Sequence, residues 1–158
     1  MKAPIFIYGT LCSPQVVEVL LGRSIPAIHM PRARLQGYAR CPVRNCVFPG
    51  TIPTPDQPNN HVDGFLLENL SSVECELLDY FEGDEYDKRI VQVRRDDNPE
   101  TTVPAELYVW KSHLIEELER DRQWTYEMFC KNHLDWYLEN TVRPCRKEME
   151  QLGMTSEK

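Results

Sequence analysis

The chain has 158 residues, 41% of them hydrophobic and 27% charged, which is enough apolar content for a buried core and too much for a disordered chain. Lysine and arginine number 18 against 25 aspartates and glutamates, a net charge of −7. That balance argues against a non-specific nucleic-acid binder and against docking on anionic lipid, since both need a surplus of cations. No stretch approaches the roughly 18 consecutive apolar residues of a membrane span, and the run at Ile5-Phe6-Ile7 is broken too soon by Tyr8-Gly9-Thr10 to serve as a signal-peptide core.

Taken in chain order, Ile5-Phe6-Ile7-Tyr8 is β-rich and ends at Gly9, a buried strand running into a tight turn. Ser13 as N-cap, Pro14 at the first helical position and Gly22 past the end predict a short helix over Gln15–Leu21. Strands are expected around Ala27–Met30 and Arg32–Tyr38, then a short one after the turn-rich Phe48-Pro49-Gly50, a loop over Thr54–Asn60, and a strand over Val62–Glu68. Ser71 followed three residues later by Glu74 is a capping box with Leu70 as its staple. The helix behind it carries Val73, Leu77, Leu78 and Phe81 and ends at Gly83. Arg89–Arg95 and Thr102–Trp110 are expected to form a hairpin about Asp96–Pro99. Trp124 to about Leu152 reads as mostly helix, with Phe129, His133 and Trp136 on one stripe and a kink or break at Pro144. The order β-α-β-β-β-β-α-β-β-α has too few crossover helices for a Rossmann sheet. It predicts an α+β fold in one domain over 1–158: a small mixed β-barrel over about 3–112 with flanking helices, and a C-terminal helical tail over about 113–153.

Cysteines stand at positions 12, 41, 46, 75, 130 and 145. Their even number is compatible with three disulfides, but the missing secretory signal favours free thiols in a cytoplasmic protein. Cys41 and Cys46 are loosely spaced for zinc, yet no second Cys or His pair completes a set of four. No metal and no other cofactor is expected.

Two segments could carry chemistry. The Tyr8-Gly9-Thr10-Leu11 turn, between a strand and a helix, points several backbone N–H groups one way and could hold a carboxylate, although such turns are common as plain structure. Leu78–Tyr86 holds four carboxylates, at Asp79, Glu82, Asp84 and Glu85. Asp79, Asp84 and Glu85 read as solvated or paired with Lys88 or Arg89. Glu82 differs because it sits at the C-terminal end of the predicted helix, against the dipole and beside aromatic residues, where a carboxyl pKa rises. A carboxyl in that state suits general acid or base work. No Gly-x-Ser-x-Gly, phosphate loop, dinucleotide fingerprint or His-Glu-x-x-His is present.

The two segments together resemble the gamma-glutamylcyclotransferase-like superfamily, in its avirulence-induced-gene type. The matching residues are Ile5-Phe6-Ile7-Tyr8-Gly9-Thr10-Leu11, then Gly37-Tyr38, Phe48-Pro49-Gly50 and Val62-Asp63-Gly64, then Leu78-Asp79-Tyr80-Phe81-Glu82-Gly83-Asp84-Glu85-Tyr86 and Ala105–Trp110. The resemblance implies a small mixed barrel and a small-molecule substrate carrying a γ-glutamyl or similar carboxylate group. It implies that Tyr8, Gly9, Thr10 and Leu11 cradle the substrate's α-carboxylate, and that Glu82 is the acid/base residue of a cyclotransferase (a transferase or lyase) releasing 5-oxoproline and an amine. Tyr86 and Tyr108 are candidates to line the pocket and Arg40 to meet a substrate carboxylate; each also reads as barrel packing or surface charge. The resemblance leaves two alternatives open: another ring closure, cleavage or isomerisation in secondary metabolism with the same glutamate, and a non-catalytic stress- or defence-related binding module.

Overall fold

Apolar Ala33 and Leu35 alternate with Arg32, Arg34 and Gln36, and this period of two makes a strand with one face in a core. The same logic, repeated along the chain, builds the barrel seen in the computed structural model, which describes residues 3–156. Its strands are β1 (Ile5–Ile7), β2 (Arg32–Gln36), β3 (Tyr38–Pro42), β4 (Pro49–Pro53), β5 (His61–Leu67), β6 (Tyr86–Arg95) and β7 (Asn98–Trp110). Helix α1 (Pro14–Leu21) follows β1, and α2 (Ser72–Glu82) joins β5 to β6. The tail holds α3 (Tyr126–Asn132), α4 (Leu134–Tyr137), a π-helical turn (Leu138–Val142) and α5 (Arg143–Gln151).

Five strands close into a barrel in the order β1-β5-β2-β6-β7. All neighbours are antiparallel except β1 and β7, which run parallel with Ile5 opposite Glu106 and Phe6 opposite Leu107. Closure leaves no free sheet edge within this set. It also brings the C-terminal ends of β1 and β7 and the N-terminal end of β6 to one mouth, since Tyr86 pairs with Trp110. Strands β3 and β4 form a separate two-stranded sheet.

Strand β1 is buried on both faces, which is why it reads as a continuous apolar run. Phe6 points into the barrel with Leu35, Val62, Leu66, Val93 and Leu107. Ile5 and Ile7 face outward into a second core with Val16, Val17 and Leu20 of α1, Leu77 and Leu78 of α2, and Phe129, Val142 and Met149 of the tail. The helix signals act as their chemistry requires. The Ser13 side chain accepts from Val16 N–H, Gly22 closes α1 in the left-handed region, and the Ser71–Glu74 capping box on α2 has both of its hydrogen bonds.

Three elements differ from the sequence expectation. Ala27–His29 is a 3-10 turn rather than a strand; it lies between Pro26 and Pro31, and Ile28 is 77% exposed with no sheet partner to cover it. The segment Arg32–Tyr38 divides at Gly37, with Tyr38 beginning β3 in the other sheet. The tail stripe is also rearranged: Phe129 is buried, but His133 is exposed and Trp136 is 59% exposed. Tyr137 packs edge-on against Phe129 instead. The interruption expected at Pro144 takes the form of a change of helix type: the π turn Leu138–Val142 gives way to α5 at Arg143, and Pro144 falls in the first turn of α5. None of the six cysteines is in a disulfide. Among the described residues, no helix is long and apolar enough to cross a membrane.

Candidate functional site

A cavity of about 230 Å³ opens at the barrel mouth. Its walls come from the end of β1 and the turn after it (Phe6 to Leu11), Phe48 and Pro49 at the start of β4, the end of α2, Glu85 and Tyr86, Tyr108 of β7, and the tail. That volume lies below the usual range for drug-sized ligands and suits a small metabolite.

The Tyr8–Leu11 turn forms one side. Its internal bonds run from Cys12 N–H to Gly9 O and from Ser13 N–H to Thr10 O, so the amides of Gly9, Thr10 and Leu11 precede the first bonded donor, as at any helical start. Gly9 carries no capping side chain. A Cβ there would lie 3.0 Å from the Pro49 ring, so glycine permits the close approach of this turn to β4.

Glu82 forms the opposite side. It is the last residue of α2, and Gly83 at φ 79° turns the chain away behind it, in a conformation that favours glycine. Glu82 keeps part of its surface, and that surface belongs to the cavity. Enclosure by the surrounding side chains, reinforced by the nearby Asp79 charge, pushes its carboxyl from the ordinary 4.5 up to about 8, and no hydrogen bond offsets the rise.

Four tyrosines surround this carboxyl, and three of their hydroxyls donate to protein acceptors. Tyr8 donates to Tyr108 O at 2.7 Å and Tyr86 to Pro49 O at 2.7 Å. Tyr108 donates to Asp79 Oδ1 at 2.7 Å. Tyr137 accepts from Thr10 Oγ1 at 3.5 Å. Burial is the main cause that raises all four phenols above the ordinary tyrosine value, and the Glu82 charge adds to it, so they stay neutral. Asp79 Oδ1 also receives Lys88 Nζ at 2.9 Å, and Lys88 reaches Glu106 at 2.8 Å.

The structure therefore brings Tyr8, Gly9, Thr10, Leu11, Glu82, Tyr86 and Tyr108 to one cavity. It places Arg40 elsewhere. The guanidinium donates to Tyr8 O at 2.9 Å and Asp63 O at 3.1 Å and stacks over Trp124. Arg40 thus braces the Tyr8 turn from outside and is not among the cavity-lining residues. Further lining residues escaped the sequence reading: Phe81 and Glu85 beside Glu82, and Tyr137, Thr141 and Cys145 in the tail. The tail residues recur every fourth position and continue the series begun by Phe129 and His133, a helical-face signal that Trp136 obscured by drawing the stripe one position aside.

Comparison with known proteins places the chain in a family. The sequence model of the family described as gamma-glutamyl cyclotransferase, AIG2-like, matches residues 5–131. AIG2-like protein B of Arabidopsis thaliana is 33% identical over 137 residues, covering 85% of this chain and 73% of the relative. AIG2-like protein A of the same plant is 28% identical over 153 residues, covering 94% and 86%. A solution structure of an Arabidopsis thaliana protein superposes with a TM-score of 0.64 at 26% identity, over 96% of this chain and 84% of that one. A structure titled gamma-glutamyl cyclotransferase superposes at 0.52 with 12% identity, over 69% and 66%, a likeness of fold alone. With its N-terminal strand and turn, its closed barrel and the glutamate ending α2 all inside the matched span, the chain belongs to the AIG2-like gamma-glutamyl cyclotransferase family.

Proposed function

We propose that the protein cyclises a γ-glutamyl amide, releasing 5-oxoproline and an amine. The observation that carries this reading is the convergence of an unbonded carboxyl, Glu82, with the turn amides of Gly9, Thr10 and Leu11 in one small cavity. In this reading the amides hold the substrate's α-carboxylate. Glu82 in its ionised form takes a proton from the α-ammonium group. A carboxyl raised to about 8 accepts that proton at a smaller free-energy cost than an ordinary carboxylate would, the adjustment that general base catalysis favours. The freed amine attacks the γ-carbonyl carbon of the same molecule. A C–N bond forms, the attacking nitrogen gives up its second proton as the five-membered lactam closes, and the original C–N bond breaks as Glu82 passes a proton to the departing nitrogen; the two protons lost by the α-nitrogen match the two gained by the amine, which leaves as its ammonium ion. Because attack is intramolecular, the entropic cost of bringing the groups together is largely removed once the glutamyl chain is folded back. Arg40, held on Tyr8 O, acts as a positioning residue for the turn.

The test is release of 5-oxoproline from a panel of γ-glutamyl amides by the wild type, by Glu82→Gln and by Glu82→Asp. Turnover by the wild type with loss in Glu82→Gln, in a variant of unchanged circular dichroism, supports the reading. Equal turnover by the wild type and Glu82→Gln, or none by the wild type with any γ-glutamyl amide, refutes it.

A further inference from the structure

Three cavity-lining residues, Tyr137, Thr141 and Cys145, lie beyond residue 131, where the match to the family's sequence model ends. Their alignment has a specific backbone cause. Four residues overshoot one α-helical turn of 3.6 residues. They undershoot the wider π turn, whose hydrogen bonds reach i→i+5. The tail passes through a π turn at Leu138–Val142 and then into α5. The offset from Tyr137 to Thr141 therefore opposes the offset from Thr141 to Cys145, and all three side chains meet the same cavity.

This wall is firmly seated. Val142 and Met149 are fully buried against α1. Arg146 Nη1 donates to Leu20 O at 3.0 Å, meeting a carbonyl in the last turn of α1. The Tyr80 hydroxyl bonds the Glu148 carboxylate and ties α5 to α2. The wall is also uncharged: among the described lining residues, the charged side chains are Glu82 and Glu85. Tyr137 touches the Tyr8–Leu11 turn through Thr10, whereas the Thr141 hydroxyl and the Cys145 thiol have no hydrogen-bond partner among the described residues.

We propose that the π turn makes Thr141 and Cys145 the specificity wall of the cavity, limiting the amine portion of the substrate to a short, uncharged substituent. This rests on the cyclotransferase reading for the identity of the substrate, but not for the position of the wall. The turn and Glu82 engage the glutamyl half, which every γ-glutamyl amide shares. The amine half is what differs between substrates, and the tail builds one of the walls left to meet it, beside Phe48, Pro49 and Tyr86.

Two experimental arms separate the wall from the chemistry. In the first, which needs no turnover, the full-length protein is treated with N-methyl-, N-benzyl- and N-pyrenyl-maleimide. Adducts at Cys145 are followed by peptide mass spectrometry against the exposed Cys46 as internal reference. A confined wall makes the relative rate at Cys145 fall at least tenfold from the smallest reagent to the largest. Thr141→Ala narrows that spread and Thr141→Trp widens it. Equal relative rates for all three reagents, or a spread that neither variant moves, overturn the proposal; the wild type and Thr141→Ala suffice if the tryptophan variant does not fold.

In the second arm, 5-oxoproline release is measured from the γ-glutamyl methyl-, butyl- and benzylamides. Thr141→Trp is expected to lower kcat/KM for the benzylamide at least tenfold more than for the methylamide, and Thr141→Ala to move the ratio the other way. A uniform change across the series overturns the wall and leaves the cyclotransferase reading standing. No product from any amide with the wild type overturns that reading, and the reagent-size ranking then judges the wall by itself.

Discussion

The two ends of α2 place a glutamate in opposite circumstances. At the N-terminal end, Glu74 lies in the first turn, where the helix dipole favours a negative charge. Partial burial works to raise its pKa, but hydrogen bonds from Arg23 and from the Ser71 N–H outweigh it, and the carboxyl ends below its ordinary value. At the C-terminal end, Glu82 faces the unfavourable pole of the same dipole, and burial followed by the Asp79 charge raises its carboxyl to about 8. One residue type on one helix thus serves as a cap at one end and, in the proposed reaction, as the proton-transfer group at the other. The lesson is that hydrogen-bond donors separate the two environments: Glu74 has them and Glu82, among the described residues, does not.

The strongest way to break the contrast is to remove the charge at the C-terminal end. Glu82→Gln is expected to lower turnover of a γ-glutamyl amide by about 10²- to 10⁴-fold, the usual range for loss of a general base, as read from 5-oxoproline release. In the wild type, the rate should rise with pH as Glu82 ionises, with the rise centred near 8, and fall again once the substrate's α-ammonium is lost; a pH–rate profile that is flat across this range contradicts the assignment. The same substitution is expected to stabilise the fold. Between pH 4.5 and 8 the folded chain keeps a proton on Glu82 that the unfolded chain has released, so wild-type stability falls as pH rises through that window. Relative to the wild type, Glu82→Gln should therefore gain stability with rising pH, by at most on the order of 5 kcal/mol above pH 8, as measured by urea unfolding at a series of pH values.

The opposite end gives a smaller and different response. Ser71→Ala removes the acceptor for Glu74 N–H and should cost about 1 kcal/mol of stability, seen as a lower urea midpoint, with the pH–rate profile unmoved. The finest adjustment is Asp79→Asn. It removes the like charge one helical turn before Glu82, so the Glu82 titration should move to lower pH, followed by carbon NMR of labelled glutamate carboxyls. An upward movement would show that the Lys88 pairing at Asp79, and not the Asp79 charge, governs the site.

Much of the framework was legible because its signals are local. The apolar run Ile5-Phe6-Ile7, the Ser13-Pro14 helix start and the Ser71–Glu74 box each depend on neighbours within a few positions, and the structure contains all three. Glu82 could be singled out from the sequence because a helix end and its dipole are local properties as well. Arg40 could not be placed in this way, since whether a guanidinium meets a ligand or a backbone carbonyl depends on a strand 32 positions away, at Tyr8. Ala27–Met30 has strand-like residues but no sheet neighbour, and the sequence does not display which edges a barrel leaves open.

The amino-acid sequence by itself determined the helix caps, the strand periodicity, the turn at Gly9 and the acid at the end of α2, because short-range backbone chemistry specifies them. Tertiary structure alone decided that β1 and β7 lie parallel, so that Tyr8 and Tyr108 share a mouth with Tyr86, and that the tail folds back to present Tyr137, Thr141 and Cys145. Those outcomes follow from barrel closure and from burial of Val142 and Met149 on α1, which couple residues more than a hundred positions apart and leave no pattern in any local stretch of the chain.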